Sequence, residues 1–246
     1  MNRDTVYLTA EPAGFIFNQQ VAGVFDDMVQ RSVPGYLLMQ NYVCELLETL
    51  PAKPKTVLDI GCSTGTSMAL IGQRFPGVHI VGFDSAPAML EKAEANLSSL
   101  ESNDFTFEFH EGDVTEVDAF PEADVVLLNL TLQFVRPLRR VELLKKLASA
   151  VRPGGVVILM EKVLEPSDAL TRRLIKVHHE FKREQGYSDL EIARKREDIE
   201  NVLIPLTVSE NEELLRASGL DEIGLVVKVL NFTLIAGFKE GGDCTC

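Results

Sequence analysis

The stretch ADVVLLNL at 123–130 is apolar at almost every position, without the alternation of a strand that shows one face to water. A strand buried on both faces belongs inside a sheet covered by helices on either side, the usual setting of parallel strands. The flanking sequence has the matching rhythm. TVLDI at 56–60 is a short β-rich run stopped by Gly61, SMALIGQRF continues with helical spacing, and HIVGFD at 79–84 is a second strand. APAMLEKAEANLSSL is a helix with Pro87 near its start, where a missing N–H does no harm. FTFEFHEGD alternates as a third strand, VELLKKLASAV has helical periodicity, and RPGG at 152–155 stops that helix and turns into a fifth strand, VVILME. Strands separated by helices predict an α/β chain with a mostly parallel, doubly wound sheet. After an insertion from about 165 to 208, SENEELLRASG reads as a helix capped by Ser209 and ended by Gly219. EIGLVVKVL and FTLIAGFK, with only Asn231 between them, predict an antiparallel C-terminal pair.

Bulk properties narrow the function classes. A chain of 246 residues, 46% of them apolar, suits one sizeable domain, here with an N-terminal helical cap at about 17–50 and the helical insertion at about 165–208. The formal charge of −13 leaves no basic stripe to follow a phosphate backbone, so direct nucleic-acid binding is not expected. Arg3, Asp4 and Glu11 interrupt the start where a signal peptide needs an apolar run, and no window has the length of a membrane span. A cytoplasmic protein is expected. Cys44, Cys62, Cys244 and Cys246 fit neither a disulfide framework nor paired CxxC spacing, and the GGDCTC ending reads as a frayed tail rather than a metal site.

Chemistry first shows in VLDIGCSTGT. A strand ending near Asp59, followed by Gly61, Ser63 and Gly65 before a helix, lets backbone N–H groups approach a ligand at the switch point of the sheet. The dinucleotide pattern GxGxxG is not met, because Ser63 stands at the middle glycine position, which favours a ligand without a pyrophosphate. Asp84 closes the second strand 23 residues after Gly61, where a carboxylate can accept from ribose hydroxyls. Asp113 follows the third strand, within reach of an adenine amino group, and Asn129 ends the fourth.

KREQGYSDLEIARKRE at 182–197 poses a separate question in so acidic a chain. Ser188 and Glu191 make the capping-box pattern, so a helix is expected from Ser188. At about 100° per residue from Ile192, Ile199 falls near roughly 340°, Leu203 near roughly 20° and Arg196 near roughly 40°, which places Arg196 on the apolar stripe. Arg194 near roughly 200° and Lys195 near roughly 300° are expected in solvent. A guanidinium on a core-facing stripe needs an anion, and a ligand or a structural partner such as Glu161 or Asp198 would serve equally. In the preceding helix, Ser167 to Gln185, Leu170, Leu174, Val177 and Phe181 share one stripe. His178 lies at its edge and reads as a packed or surface histidine, with His179 on the far side. Tyr187, in the loop between the helices, is left unassigned.

The ordered strand-end residues resemble the class I S-adenosylmethionine-dependent methyltransferases, whose Rossmann-like fold the element order matches. More narrowly, VAGVFDDMVQRSVPGY at 21–36, GCS at 61–63, NLTLQF at 129–134, HHEFKREQGYSDLEI at 178–192 and KR at 195–196 resemble the carboxy-S-adenosylmethionine synthase family over about residues 20–238. The resemblance implies S-adenosyl-L-methionine as cofactor and carboxy-S-adenosyl-L-methionine as product, with prephenate as the small-molecule carboxyl donor and phenylpyruvate released. A second enzyme then uses the product on wobble uridine of tRNA. It implies a cofactor site of Tyr36, Gly61, Cys62, Ser63, Asp84, Ser85, Asp113, Val114 and Asn129. Arg196 is implied as the catalytic-site arginine that meets the added carboxylate. It further implies a homodimer with the insertion near the interface; no metal is expected, since the cysteine spacing lacks a paired site. An ordinary small-molecule methyltransferase and a non-catalytic S-adenosylmethionine-binding module are the alternatives.

Overall fold

The computed structural model describes residues 3–6, 17–100, 104–199 and 202–241. Cys244 and Cys246, and the tail expected to fray, lie outside the described residues. The N-terminal part is helical: α1 (Gln19–Ala22), α2 (Phe25–Ser32) and α3 (Tyr36–Glu48). Then follow β1 (Thr56–Ile60), α4 (Thr66–Arg74), β2 (His79–Asp84), α5 (Pro87–Ser98), β3 (Thr106–Glu111), β4 (Ala123–Asn129), α6 (Pro137–Ala150) and β5 (Val151–Leu164). Two helices, α7 (Asp168–Glu184) and α8 (Asp189–Ile199), make up the insertion. The chain closes with β6 (Leu206–Thr207), α9 (Val208–Ala217), β7 (Glu222–Val229) and β8 (Phe232–Phe238).

The sheet order is β3-β2-β1-β4-β5-β8-β7, parallel from β3 to β5 and antiparallel at both contacts of β8. β1 and β4 are therefore central, and their side chains leave the sheet in alternating directions. Val57 and Val125 join Met39, Met68, Ile71 and Ile158 on one face, while Leu58, Val126 and Leu128 join Leu143, Leu147, Leu215 and Ile235 on the other. This two-sided burial is what the unbroken apolar run of β4 requires. The winding order of the strands reverses between β1 and β4, which run parallel, so the C-terminal ends of β1, β2, β4 and β5 open on one crevice.

Three local expectations are corrected. The RPGG segment does not separate helix from strand: α6 ends at Ala150, β5 begins at Val151, and the strand runs through Gly154 at φ 81°. The cap of α9 is Thr207 rather than Ser209. Its side chain accepts from the Glu210 N–H at 3.2 Å while Glu210 reciprocates onto the Thr207 N–H at 2.7 Å, a complete capping box two residues earlier. The β7–β8 turn holds Leu230 as well as Asn231, and Leu230 takes φ 54°.

Candidate functional site

A cavity of about 510 Å³ lies over the C-terminal ends of the central strands, roofed by α2 and walled on one side by the insertion. Tyr36, Gly61, Cys62, Ser63, Asp84, Ser85, Asp113, Val114 and Asn129 all line it. Elements far apart in the chain thus bring together every residue named from sequence for this site except Arg196.

The turn after β1 is built by backbone. The N–H groups of Gly61 and Cys62 both donate to Phe83 O, at 2.7 and 3.0 Å, tying it to β2. Gly61 has φ 73°, and a Cβ there would meet Thr131 Oγ1 at 2.4 Å, so conformation and space both require glycine. Ser63 follows at φ 52° and donates its N–H to Asp84 Oδ2 at 2.9 Å, while Ala86 N–H donates to Asp84 Oδ1 at 2.9 Å. Asp84 is thereby fixed in orientation, each oxygen keeping a lone pair for a ligand hydroxyl. Burial raises its pKa, and these backbone donors oppose the rise. Asp113 caps the short turn at Val114–Glu116, accepting from Thr115 N–H and Oγ1 on the same oxygen, Oδ1, at 2.8 Å each.

Below this rim runs a polar chain. Gln40 Nε2 donates to Tyr36 Oη and to Ser67 Oγ, both at 3.0 Å, and Asn129 Nδ2 donates to the same Ser67 Oγ at 3.0 Å. Burial pushes the Tyr36 phenol up to about 12, so it stays protonated as a donor. Asn129 Oδ1 and both carboxylate oxygens of Asp59 are buried without a hydrogen-bond partner. Such groups are rare and costly in folded proteins, and on the wall of a cavity they await donors from a ligand. Asp59, 1% exposed, is pushed up to about 7 by burial and then by Asp84. A nucleoside carrying positive charge near its reactive end fits this set: hydroxyl acceptors at the rim, an unfilled acceptor at Asn129, and an orphaned carboxylate beneath.

On the insertion side the sequence expectation is reversed. The capping box forms, with Ser188 N–H donating to Glu191 Oε2 at 2.8 Å and Glu191 N–H to Ser188 Oγ at 3.3 Å. However, Lys195 lines the cavity, while Arg196 is exposed and absent from its wall. The inward face of α8 carries Glu191, Lys195, Ile199 and Ile192, a sector centred near roughly 300° on the wheel used above, so Arg196 falls beyond its edge. Leu203, which pulled the inferred stripe towards Arg196, lies past the end of α8 and lines the cavity from there. Glu161 is no partner for Arg196 either. It accepts the N–H groups of Leu132 and Gln133 at 2.8 and 3.0 Å, and burial raises it to about 8.

Three cavity-lining groups escaped the sequence reading. In sequence Asp59 reads only as a strand end, although a carboxylate inside an apolar buried strand is itself a signal. Lys162 lies near the C-terminal end of β5, where sheets of this type place ligand sites, and Lys182 is one helical turn beyond His178. Tyr187 acquires a structural place: its hydroxyl donates to Asp4 Oδ2 at 2.5 Å and the Arg31 guanidinium lies 4.1 Å over its ring, stapling insertion to N-terminus.

His178 is packed, as expected, and 4% exposed. Its Nε2 lies 2.7 Å from Ser32 O and its ring meets Phe232 edge-on at 5.3 Å. Next to a carbonyl, Nε2 carries the hydrogen. Burial, then Lys182, lowers its pKa from 6.5 to about 3. The unfolded chain therefore takes up a proton below about 6.5 that the folded chain refuses until about 3, and stability is lost as pH falls through that window. Urea melts across that range should lose their steepest contribution in His178→Gln, whose amide can still reach Ser32 O. The difference in slope against wild type is expected to approach about 1.4 kcal/mol per pH unit.

A methyltransferase-domain family model matches residues 57–155. A carboxy-S-adenosyl-L-methionine synthase of Desulfotalea psychrophila is 38% identical over 240 residues, covering 96% of this chain and 97% of that protein. One of Wolinella succinogenes is 37% identical over 243 residues, covering 97% and 99%. Among solved structures, the YcgJ protein of Bacillus subtilis superposes with a TM-score of 0.62 at 13% identity, covering 84% of this chain and all of that one. Human N-acetylserotonin methyltransferase does so at 0.57 and 17%, covering 90% of this chain and 55% of its own. These structural likenesses concern the fold, the class I methyltransferase arrangement.

Proposed function

The chain belongs to the carboxy-S-adenosyl-L-methionine synthase family, and from that premise we propose that it converts S-adenosyl-L-methionine and prephenate into carboxy-S-adenosyl-L-methionine, phenylpyruvate and water. The product is destined for 5-oxyacetyluridine formation at the tRNA wobble position by a second enzyme. The balance closes: prephenate loses its ring carboxyl as carbon dioxide and its hydroxyl as hydroxide, a new carbon–carbon bond forms at the sulfonium methyl, and the methyl proton leaves with the hydroxide as water. S-adenosyl-L-methionine, when bound, supplies that acidified methyl carbon.

The protein's own share is orientation, charge matching and exclusion of water. In this reading Asp84 and Ser85 hold the ribose, Asp113 and Val114 the adenine, and the Gly61–Cys62–Ser63 turn lies against the remainder. Tyr36 and Asn129 orient the reacting end. The observation that carries the proposal is the charge division of a single cavity. Carboxylates from the strand ends suit a cationic nucleoside, and lysines from β5 and the insertion suit an anionic second substrate. Plain methyl transfer to a neutral acceptor has no use for the second set.

Arg196 stands on the outer side of α8, near His179, whose pKa it helps to lower. Its proposed meeting with the new carboxylate therefore requires a second copy of the chain, with the insertion as the contact in a cytoplasmic homodimer. Among the described residues no helix is long and apolar enough to cross a membrane, and the charge of −13 agrees with small-molecule rather than direct RNA contact.

Incubating the protein with both substrates should give a nucleoside heavier than S-adenosyl-L-methionine by one carbon dioxide, together with phenylpyruvate. Methylated acceptor without it would indicate an ordinary methyltransferase, and bound but unchanged nucleoside a binding module. In Arg196→Ala, formation of the carboxylated product is expected to fall at least about tenfold with S-adenosyl-L-methionine affinity retained, the scale of one lost charged hydrogen bond. Unchanged turnover would remove Arg196 from the site.

A further inference from the structure

Lys162 of β5, Lys182 in the last turn of α7 and Lys195 of α8 converge on one wall of the cavity. Among the described residues the side chains of Lys162 and Lys182 meet no hydrogen-bond or ion-pair partner, and Lys195 has only the Ser32 hydroxyl, at 3.0 Å. Three lysines elsewhere in the fold have partners. Lys146 donates to Val117 O, Lys228 pairs with Glu165, and Lys239 donates to three carbonyls, those of Ala148, Ser149 and Val151.

A chain with 37 acidic residues has carboxylates to spare, yet among the described residues the one acting on this group is Asp4, near Lys195 and already bonded to Tyr187. Asp59, Asp84 and Asp113 belong to the opposite side of the cavity. All three lysines are held below the usual lysine value, by burial first. Lys195 and Lys162 lower Lys182 further, to about 7, so the three lie within electrostatic range of each other. Clustered cations taken out of water without counter-charge are costly, and a site keeps them when a ligand brings the anions.

We propose that Lys162, Lys182 and Lys195 form the docking subsite for the carboxyl donor, and that it takes a small molecule with two carboxylates. The inference rests on the carboxyl-transfer reading and adds which three side chains hold the donor's two carboxylates. The chemistry explains the number. A donor that loses one carboxylate as carbon dioxide needs another, permanent one to stay anchored while the first departs. Two anions against three lysines also leave a surplus positive charge beside the transferring group.

The test separates docking from turnover. Wild type saturated with S-adenosylhomocysteine, which lacks the methyl group and cannot react, is titrated with prephenate by calorimetry. Lys182→Met and Lys162→Met keep the stem and remove the charge, and each is expected to weaken prephenate binding at least tenfold. S-adenosylhomocysteine affinity should stay within twofold, and the melting temperature should be unchanged or higher because an unpaired cation is gone. Lys182→Arg should recover most of the loss. The proposal is overturned if wild type does not bind prephenate, if the Met variants bind it as well as wild type, or if nucleoside affinity falls by the same factor, which would assign the lysines to the methionine carboxylate. Prephenate that binds through these lysines without being turned over leaves the subsite standing and sinks the carboxyl-transfer reading instead.

Discussion

Asp59→Asn is expected to make the ligand-free protein more stable at neutral pH and less able to hold its nucleoside. The carboxyl is buried with neither oxygen satisfied, and its pKa is raised from 3.8 to about 7. The folded chain keeps a proton up to about pH 7 that the unfolded chain releases near 4. Between those values the native state binds more protons, and stability falls as pH rises. At 1.36 kcal/mol per unit, the penalty at and above neutrality has a ceiling of about 4 kcal/mol. Asparagine keeps the shape without the charge, so thermal melts of the variant should lose this decline between pH 4 and 7. The opposite effect appears on binding. A cationic nucleoside that supplies donors to Asp59 stabilises its ionised form, and losing one charged hydrogen bond of about 1.5–3 kcal/mol weakens affinity roughly tenfold to hundredfold. Equal melting curves for variant and wild type, or undiminished nucleoside affinity, would show that Asp59 already has a partner.

A comparable loss with a different cause is expected from Gly61→Ala. The new Cβ meets Thr131 Oγ1 at 2.4 Å and Cγ2 at 2.6 Å, and the backbone is at φ 73°. Left-handed backbone costs a non-glycine residue about 1–2 kcal/mol, and relief of the contact must move either the turn or the Thr131 segment. Both line the cavity. Nucleoside affinity should fall at least about hundredfold, on the scale of an unfavourable conformation plus overpacking. Combining the change with Thr131→Ala separates the two terms: it removes Oγ1 and Cγ2 and should recover part of the affinity, while the backbone term persists. Full recovery would mean that the positive φ carries no cost, and no recovery that Thr131 is not the obstacle.

The strand-end side of the cavity was legible because its residues follow a local rule. Asp84, Asp113 and Asn129 each close or follow a strand, and strand ends in a parallel sheet meet at one crevice whatever the side-chain detail. Asp59 was harder, since its role comes from being buried without a partner, which is a property of the folded surroundings. The insertion was harder still. A helical wheel centred on Ile192, Ile199 and Leu203 pointed to Arg196, yet Leu203 lies outside the helix and the face of α8 turned inward is the one with Glu191 and Lys195. Periodicity finds a stripe, but the angle at which a helix docks selects the side chains at its margins, and a rotation of about 60° turns a lysine inward in place of the arginine that follows it.

By itself the amino-acid order determined the alternation of strand and helix, the two-sided burial of β4, the glycine turn after β1 and the acidic residues at successive strand ends. All are short-range consequences of backbone sterics and apolar patterning. Tertiary structure alone decided that Lys162, Lys182 and Lys195, distant in the chain, share one wall and that Arg196 faces outward. Those outcomes depend on how the two insertion helices lie across the end of the sheet, a balance of packing and charge burial summed over contacts that no local stretch contains.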